Sequence, residues 1–222
     1  MALRTDCAYI ISVSTSPPKF IRPCIPTTAK AIPHGAAWLH EPKLDGYRFQ
    51  IVKDGDRVRL YSRSGYDWTK RLASLATALT DIRCESAVID GELVFPNASG
   101  NPEFRGLQAV MGSHRQHELA VFAFDLLHHD GTDLRPIPLI KRRRQRTELV
   151  ARSDVYCLHL AQVFDNGAKL LKAAEWHGLE GIVSKRQASA YRSGPSHDWV
   201  KTKTAAWRKA NRDRWKAYQR SR

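Results

Sequence analysis

The sequence has few cysteines, and their spacing excludes two common kinds of site. Cys7, Cys24, Cys84 and Cys157 lie far apart, with no Cys-x-x-Cys pair and no His-x-x-x-His partner. Structural zinc sites and disulfide frameworks need such groupings. We therefore expect four structural thiols in a reducing, cytoplasmic environment.

Long apolar runs are also missing. The opening MALRTDCAYIISVSTSPP contains only a short apolar run interrupted by polar residues, which falls below the length of a signal-peptide core or a membrane span. We expect neither export nor anchoring. Because residues 1–18 lack periodicity and end in Ser-Pro-Pro, we interpret them as a flexible leader.

Acidic residues are scarce relative to basic ones. The chain has 36 Lys and Arg against 22 Asp and Glu, a formal net charge of +14. The excess is concentrated in KRRRQR (141–146) and in the segment from Lys201 to Arg222, where Asp213 is the only acidic residue. Such one-sided charge indicates a polyanionic partner, although an ordinary basic surface gives the same pattern.

Hydrophobic periodicity predicts a mixture of short elements. Apolar alternation on both sides of Asp54-Gly55-Asp56 predicts a hairpin over 47–62. Apolar residues at helical spacing over 72–82 predict a helix, followed by a strand over 87–95. A short helix over 104–111, a buried strand over 119–127 and a basic helix opened by Pro138 follow.

The last part of the sequence continues this pattern. A helix capped by Gly178 precedes strand-like segments at 180–186 and 199–203. Trp207, Trp215 and Tyr218 then fall on one face of a basic helix. Short strands and helices without strict βαβ alternation predict a single α+β domain with antiparallel sheets.

Six short stretches occur in a fixed order. They are EPKLDGYR (41–48), SRSG (62–65), DGEL (90–93), FAFDLL (122–127), EGIVSK (180–185) and WVKTK (199–203). In this order they resemble the adenylation domain of ATP-dependent DNA ligases, in the nucleotidyltransferase superfamily shared with mRNA capping enzymes. The resemblance covers about 20–203 and is strongest to the bacterial ligases of non-homologous end joining, in which a similar Trp-Leu-His-Glu precedes the lysine. It implies an ATP-grasp-like nucleotidyltransferase fold, with two mainly antiparallel sheets flanked by helices.

The resemblance implies covalent catalysis by Lys43. In the family this lysine attacks the α-phosphate of ATP, expels pyrophosphate and keeps AMP on its nitrogen. The attack needs a neutral amine, which burial or neighbouring cations favour. By the resemblance, Arg48, Lys201 and Lys203 are those cations, and they also neutralise phosphate charge.

The other motif residues acquire roles in the same way. The resemblance implies that Glu41 holds the edge of adenine, that Phe124 stacks on the base, and that Arg63 contacts ribose or a DNA 5′-phosphate. It implies that Glu92 and Glu180 form a magnesium (or manganese) and ribose site, since a buried carboxylate is costly unless paired or bound to metal. Taken singly, Glu41 and Arg63 fit an ordinary solvated surface, and Phe124 fits a core aromatic.

The excess positive charge then has an expected partner. Nicked double-stranded DNA presents phosphates on both sides of the break, and Lys and Arg contacts bind them regardless of sequence. KRRRQR and the basic tail are candidate contacts, with the solvated surface as the alternative. We further expect a monomer that cooperates with end-joining proteins.

One feature departs from the family pattern. Ligases of this superfamily continue into an OB-fold domain that carries a sixth, basic motif, and here 19 residues follow Lys203. We therefore expect an adenylation domain over 19–203, a basic C-terminal helix over 204–222 and no OB-fold.

The sequence leaves two alternatives open. One is another covalent nucleotidyltransferase, either an RNA ligase or a capping-type GTP enzyme, although WVKTK and FAFDLL favour a DNA ligase. The other is a nick-binding protein without catalytic activity, for which a reactive lysine has no purpose.

Overall fold

The computed structural model describes residues 17–96, 104–111 and 113–220, with the side chains of residues 104, 105 and 213–220 outside the description. The proposed leader up to residue 16, with Cys7, lies outside it as well. The strands are β1 (Cys24–Thr28), β2 (Trp38–Lys43), β3 (Tyr47–Asp54), β4 (Arg57–Ser62), β5 (Ser86–Val94), β6 (Ala120–His129), β7 (Thr132–Asp133), β8 (Leu158–Leu160), β9 (Gly181–Arg186) and β10 (Gly194–Lys203). The helices are α1 (Ala73–Ala78), α2 (Phe104–Val110), α3 (Leu139–Ser153), α4 (Gly167–Trp176) and α5 (Ala205–Arg220), with two short 3-10 turns.

These strands form two sheets. The smaller sheet has the order β1-β10-β9-β2, and the larger has the order β4-β3-β5-β6-β7, with β8 also paired to β6. Only the β1–β10 and β6–β8 pairs are parallel among the described strands. The predicted α+β fold with two mainly antiparallel sheets is therefore confirmed. None of the helices in the described ranges is long and apolar enough to cross a bilayer.

The two faces of the larger sheet have different partners. One face packs on α1, α2 and α3 and forms the main apolar core, in which Ile51 and Ile89 are fully buried. Leu72 and Leu79, on the predicted helical stripe, join this core with no exposure. The opposite face meets the smaller sheet through a second apolar cluster that includes Val88 and Trp199.

A network of buried hydrogen bonds connects the two sheets. Arg48 in β3 forms a bidentate pair with Asp90 in β5, at 3.0 and 2.6 Å, and also donates to the Cys24 carbonyl in β1 at 2.6 Å. The Tyr191 hydroxyl donates to Asp90 at 2.7 Å and accepts from the Cys24 amide at 2.9 Å. The network thus links both sheets through hydrogen bonds that leave the buried charges paired.

Three arginines in the basic stretch of α3 face inward, so the predicted contact with DNA is wrong for them. Arg142 is fully buried and binds both oxygens of Asp125. Arg143 forms an ion pair with Glu41, and Arg146 is 1% exposed. Positions 142, 143 and 146 share one side of a helix, and on that side Arg142 and Arg143 balance the carboxylates of Asp125 and Glu41 instead of facing solvent.

The Asp125–Arg142 pair should be important for stability. We expect Asp125→Ala to lower the free energy of unfolding by about 3–5 kcal/mol, because it leaves a buried guanidinium without its carboxylate. Glu148→Ala, which removes the partner of the exposed Arg144 on the same helix, should cost far less. Urea denaturation of both variants measures the difference, and equal losses would contradict this role for the buried pair.

Candidate functional site

A cavity of about 520 Å³ lies between the two sheets, where the apolar contact between them ends. Its lining comes from all six sequence motifs and includes Glu41, Lys43, Arg48, Arg63, Glu92, Phe124 and Lys201. Glu180 joins it through an ion pair with Lys43, and Lys203 joins it through an ion pair with Glu180. The fold therefore gathers all the predicted site residues around one cavity.

The register of the smaller sheet sets up one wall of this cavity. Lys43, Gly181 and Lys203 stand side by side on β2, β9 and β10, and Glu41, Val183 and Lys201 form the next row on the same face. Alternation along each strand then points these side chains to one side of the sheet. Residues from two distant motifs thus reach Lys43 through strand pairing.

Gly181 leaves room between the two outer lysines. A Cβ at this position would lie 2.1 Å from the Thr202 carbonyl oxygen, so no larger residue fits without a shift of the backbone. The Glu180 carboxylate occupies the neighbouring space, with one oxygen 2.5 Å from the Lys43 amine and the other 3.0 Å from the Lys203 amine. Lys203 also lies over the Trp207 ring at 3.4 Å, which connects α5 to the site.

The charges around Lys43 influence one another. Burial acts to raise the pKa of Glu180, but hydrogen bonds from Lys43 and Lys203 hold this pKa below its ordinary value. Burial, Lys203 and Lys43 together lower the pKa of Lys201. The cluster is therefore a positively charged surface with one carboxylate at its centre, suited to a polyphosphate.

Glu92 has a different environment. It lies on β5 opposite Arg48, and burial raises its pKa to about 7 despite the opposing charges of Lys43 and Arg48. No hydrogen bond or ion pair of its carboxylate is found within the described part of the chain. A half-buried carboxylate that no cation contacts among the described residues is suited to receive one.

The two carboxylates fit a magnesium ion bound together with a substrate. Across the described residues, no group of three or more His, Cys, Asp or Glu side chains forms a ready metal site. Magnesium commonly binds through one or two carboxylates plus substrate phosphates and water, without a complete protein cage. Glu92 and Glu180, both close to Lys43, meet that requirement.

The other end of the cavity is aromatic and more deeply buried. Phe124 packs edge-on against Trp199, with ring centroids 6.0 Å apart. The Lys185 ammonium lies 4.4 Å from the Phe124 ring centroid and 4.1 Å from that of Trp199. Glu41 binds Lys185 through one carboxylate oxygen at 2.5 Å and Arg143 through the other.

The structure gives Arg48 and Arg63 unequal positions. Arg48 lines the cavity, but its guanidinium binds Asp90, Cys24 and Tyr191, so its predicted contact with phosphate remains a prediction. Arg63 is exposed at the cavity mouth and is positioned to meet a substrate arriving from solvent.

Sequence patterns do not reveal Arg143 and Tyr191, which help to form the site. Arg143 is 102 residues from Glu41, and Tyr191 is 101 residues from Asp90. Neither pair lies within one element or one motif. Lys185 belongs to a motif, but its position between two rings follows only from the packing of the sheets.

Comparisons with known proteins agree with this geometry. The sequence profile of a family described as the ATP dependent DNA ligase domain matches residues 22–203. A multifunctional non-homologous end joining protein LigD from Pseudomonas aeruginosa is 38% identical over 190 residues, which are 85% of this chain and 22% of that protein. The DNA ligase B of Mycobacterium tuberculosis is 34% identical over 180 residues, covering 77% of this chain and 35% of that protein.

Solved structures show the same likeness. A mycobacterial DNA ligase D complexed with ATP and MES superposes with a TM-score of 0.65 at 32% identity, covering 83% of this chain and 60% of that one. The ligase domain of M. tuberculosis LigD gives a TM-score of 0.66 at 31% identity, with 83% and 61% coverage. The chain spans about a fifth of the length of its LigD relatives.

The family profile covers most of the chain, and all six motifs contribute residues to the lining of a single cavity. This chain belongs to the ATP-dependent DNA ligase domain family.

Proposed function

We propose that the chain is the adenylation domain of a DNA ligase that seals nicks in double-stranded DNA through a covalent Lys43–AMP intermediate. The observation that carries the proposal is the placement of Lys43, Lys201 and Lys203 on one face of the smaller sheet, around the Glu180 carboxylate. A relative that is a LigD protein supports DNA end joining as the setting. The domain boundaries at residues 19 and 203, with the helix beyond, belong to the same proposal.

The first step forms a bond from the Lys43 amine to the α-phosphorus of ATP and breaks the bond to the pyrophosphate oxygen, which leaves with the electron pair. Glu180 orients the amine through its 2.5 Å contact, and the proton of the amine is released to solvent. Lys201 and Lys203 offset the negative charge of the phosphates. The adenine base occupies the end of the cavity formed by Phe124 and Glu41.

The later steps use the same cavity. The 5′-phosphate of the nick attacks the α-phosphorus of Lys43–AMP, releases the lysine and yields DNA capped with AMP. The 3′-hydroxyl then displaces AMP and closes the strand. Arg63 at the cavity mouth is suited to hold the incoming 5′-phosphate.

Magnesium would be held by Glu92 and Glu180 together with substrate phosphates. When bound, it would neutralise charge that develops on phosphate oxygens. Ionised Glu92 is a ligand, whereas its protonated form is not.

The first test concerns the nucleophile. We expect label from α-labelled ATP to remain on the protein through denaturing electrophoresis and to be released by acid, because a phosphoramidate bond is acid-labile. Lys43→Ala should abolish this labelling, whereas Lys172→Ala, at an exposed lysine of α4, should not affect it. Labelling that persists without Lys43 would refute the assignment. Stronger labelling from NAD or GTP would point to a different donor.

The second test concerns Glu92 and pH. Because its pKa is raised to about 7, the carboxylate is ionised above this pH and increasingly protonated below it. At low magnesium we expect self-adenylation to rise with pH through about 7, and added magnesium to shift the midpoint to lower pH by favouring the ionised form.

The matched variant is Glu92→Gln, which keeps the shape but cannot ionise. Its turnover should be low, and high magnesium should partly restore it. The pH profile of its self-adenylation should lack the transition near pH 7. A wild-type pH profile in this variant would show that another group titrates.

A further inference from the structure

Glu41 is held by two cations that come from different parts of the fold. One carboxylate oxygen contacts Arg143 of α3, and the other lies 2.5 Å from the Lys185 amine of β9. The Glu41 side chain is only 5% exposed and the Lys185 side chain only 2%. The carboxylate therefore has little freedom to turn.

Arg143 is itself held in place by its neighbour on the helix. Arg142 binds both oxygens of Asp125, at 2.8 and 2.9 Å, and this carboxylate belongs to the residue that follows Phe124 on β6. The two groups expected to meet the face and the edge of a base, Phe124 and Glu41, are thus linked through the start of α3. A shift of the helix would move one relative to the other.

The Glu41 carboxylate, held between Arg143 and Lys185, can only accept hydrogen bonds. An ionised carboxylate has about four lone-pair sites on two oxygens, so a cation on each oxygen leaves sites free for a ligand. Arg146, 1% exposed on the same side of α3, adds a further positive charge that interacts with Glu41. Glu41 also lines the cavity, so a base can reach it.

We infer that Arg143 is a specificity-determining positioning residue, which with Lys185 fixes the Glu41 carboxylate so that the site selects a purine with a 6-amino donor over a 6-oxo purine. The inference rests on the proposed adenylation activity. A 6-amino group donates to the carboxylate, whereas a 6-oxo group places an acceptor against it. Because the carboxylate is held on both sides, it cannot rotate to accept from the N1–H of the 6-oxo base. Selectivity for the 6-amino purine therefore comes from the restraint on the Glu41 carboxylate as well as from its negative charge.

The experiment compares self-adenylation from ATP with the corresponding labelling from inosine triphosphate, which differs at the 6-position and in the N1 proton that accompanies it. The wild-type protein should prefer ATP. Arg143→Gln should lower the ratio of the two kcat/KM values by about tenfold, the worth of a hydrogen bond to a charged group, mainly through a higher KM for ATP. Arg143→Lys, which keeps the charge, should restore much of the ratio.

Two further variants separate positioning from general stability. Arg144→Gln, at the next residue of α3 but exposed and paired with Glu148, should leave the ratio unchanged. Glu41→Gln should lower the ratio by itself, and adding Arg143→Gln to it should cause no further change, because the carboxylate that Arg143 positions is already gone.

The outcomes are distinguishable. If ATP labels the wild type normally and Arg143→Gln leaves the ratio of the two kcat/KM values unchanged, even with a loss of activity for both nucleotides, the inference is overturned and the proposed function stays intact. If Arg143→Gln does not fold, an unchanged ratio in Glu41→Gln overturns the inference just as well. Absence of any labelling of the wild type by ATP would instead refute the proposed function.

Discussion

The pairing of Arg48 with Asp90 is the contact on which the arrangement of this molecule depends. The cavity is a gap between two sheets, so its shape is set by whatever fixes the sheets relative to each other. Arg48 and Asp90 belong to the larger sheet, and they reach the smaller one through the Cys24 backbone and the Tyr191 hydroxyl. Two opposite charges buried together must keep their partners, because separating them leaves an uncompensated charge in a poorly hydrated interior.

Positive charge is distributed within the fold according to its surroundings. Lys43, Lys201 and Lys203 stand around Glu180 at one end of the cavity, where a polyanion can reach them. Arg142 and Arg143 are turned inward and hold the carboxylates of Asp125 and Glu41. The count of 36 Lys and Arg therefore overstates the number of cations available to a nucleic acid, because several of them pair with carboxylates in the interior.

Local patterns predict the elements well where one face of the element is buried. The hairpin around Asp54-Gly55 appears as β3 and β4, and the apolar residues spaced for a helix over 72–82 are buried as expected. Strand alternation also predicts correctly that Lys201 and Lys203 share a face. Composition misleads at α3, because a run of arginines looks the same whether it meets solvent or buried carboxylates. The aromatic stripe proposed for α5 includes Trp215 and Tyr218, whose side chains lie outside the described ones.

The sequence by itself determined the order of the motifs, the periodicity of the strands and the family, since each depends on residues close together along the chain. Tertiary structure alone decided which charges meet. It placed Arg48 beside Asp90, Arg143 beside Glu41 at a separation of 102 residues, and Lys185 between the rings of Phe124 and Trp199. The physical reason is that an ion pair forms between groups brought into contact by sheet register and helix packing, and local patterning of a sequence carries no record of which distant segments will pack together.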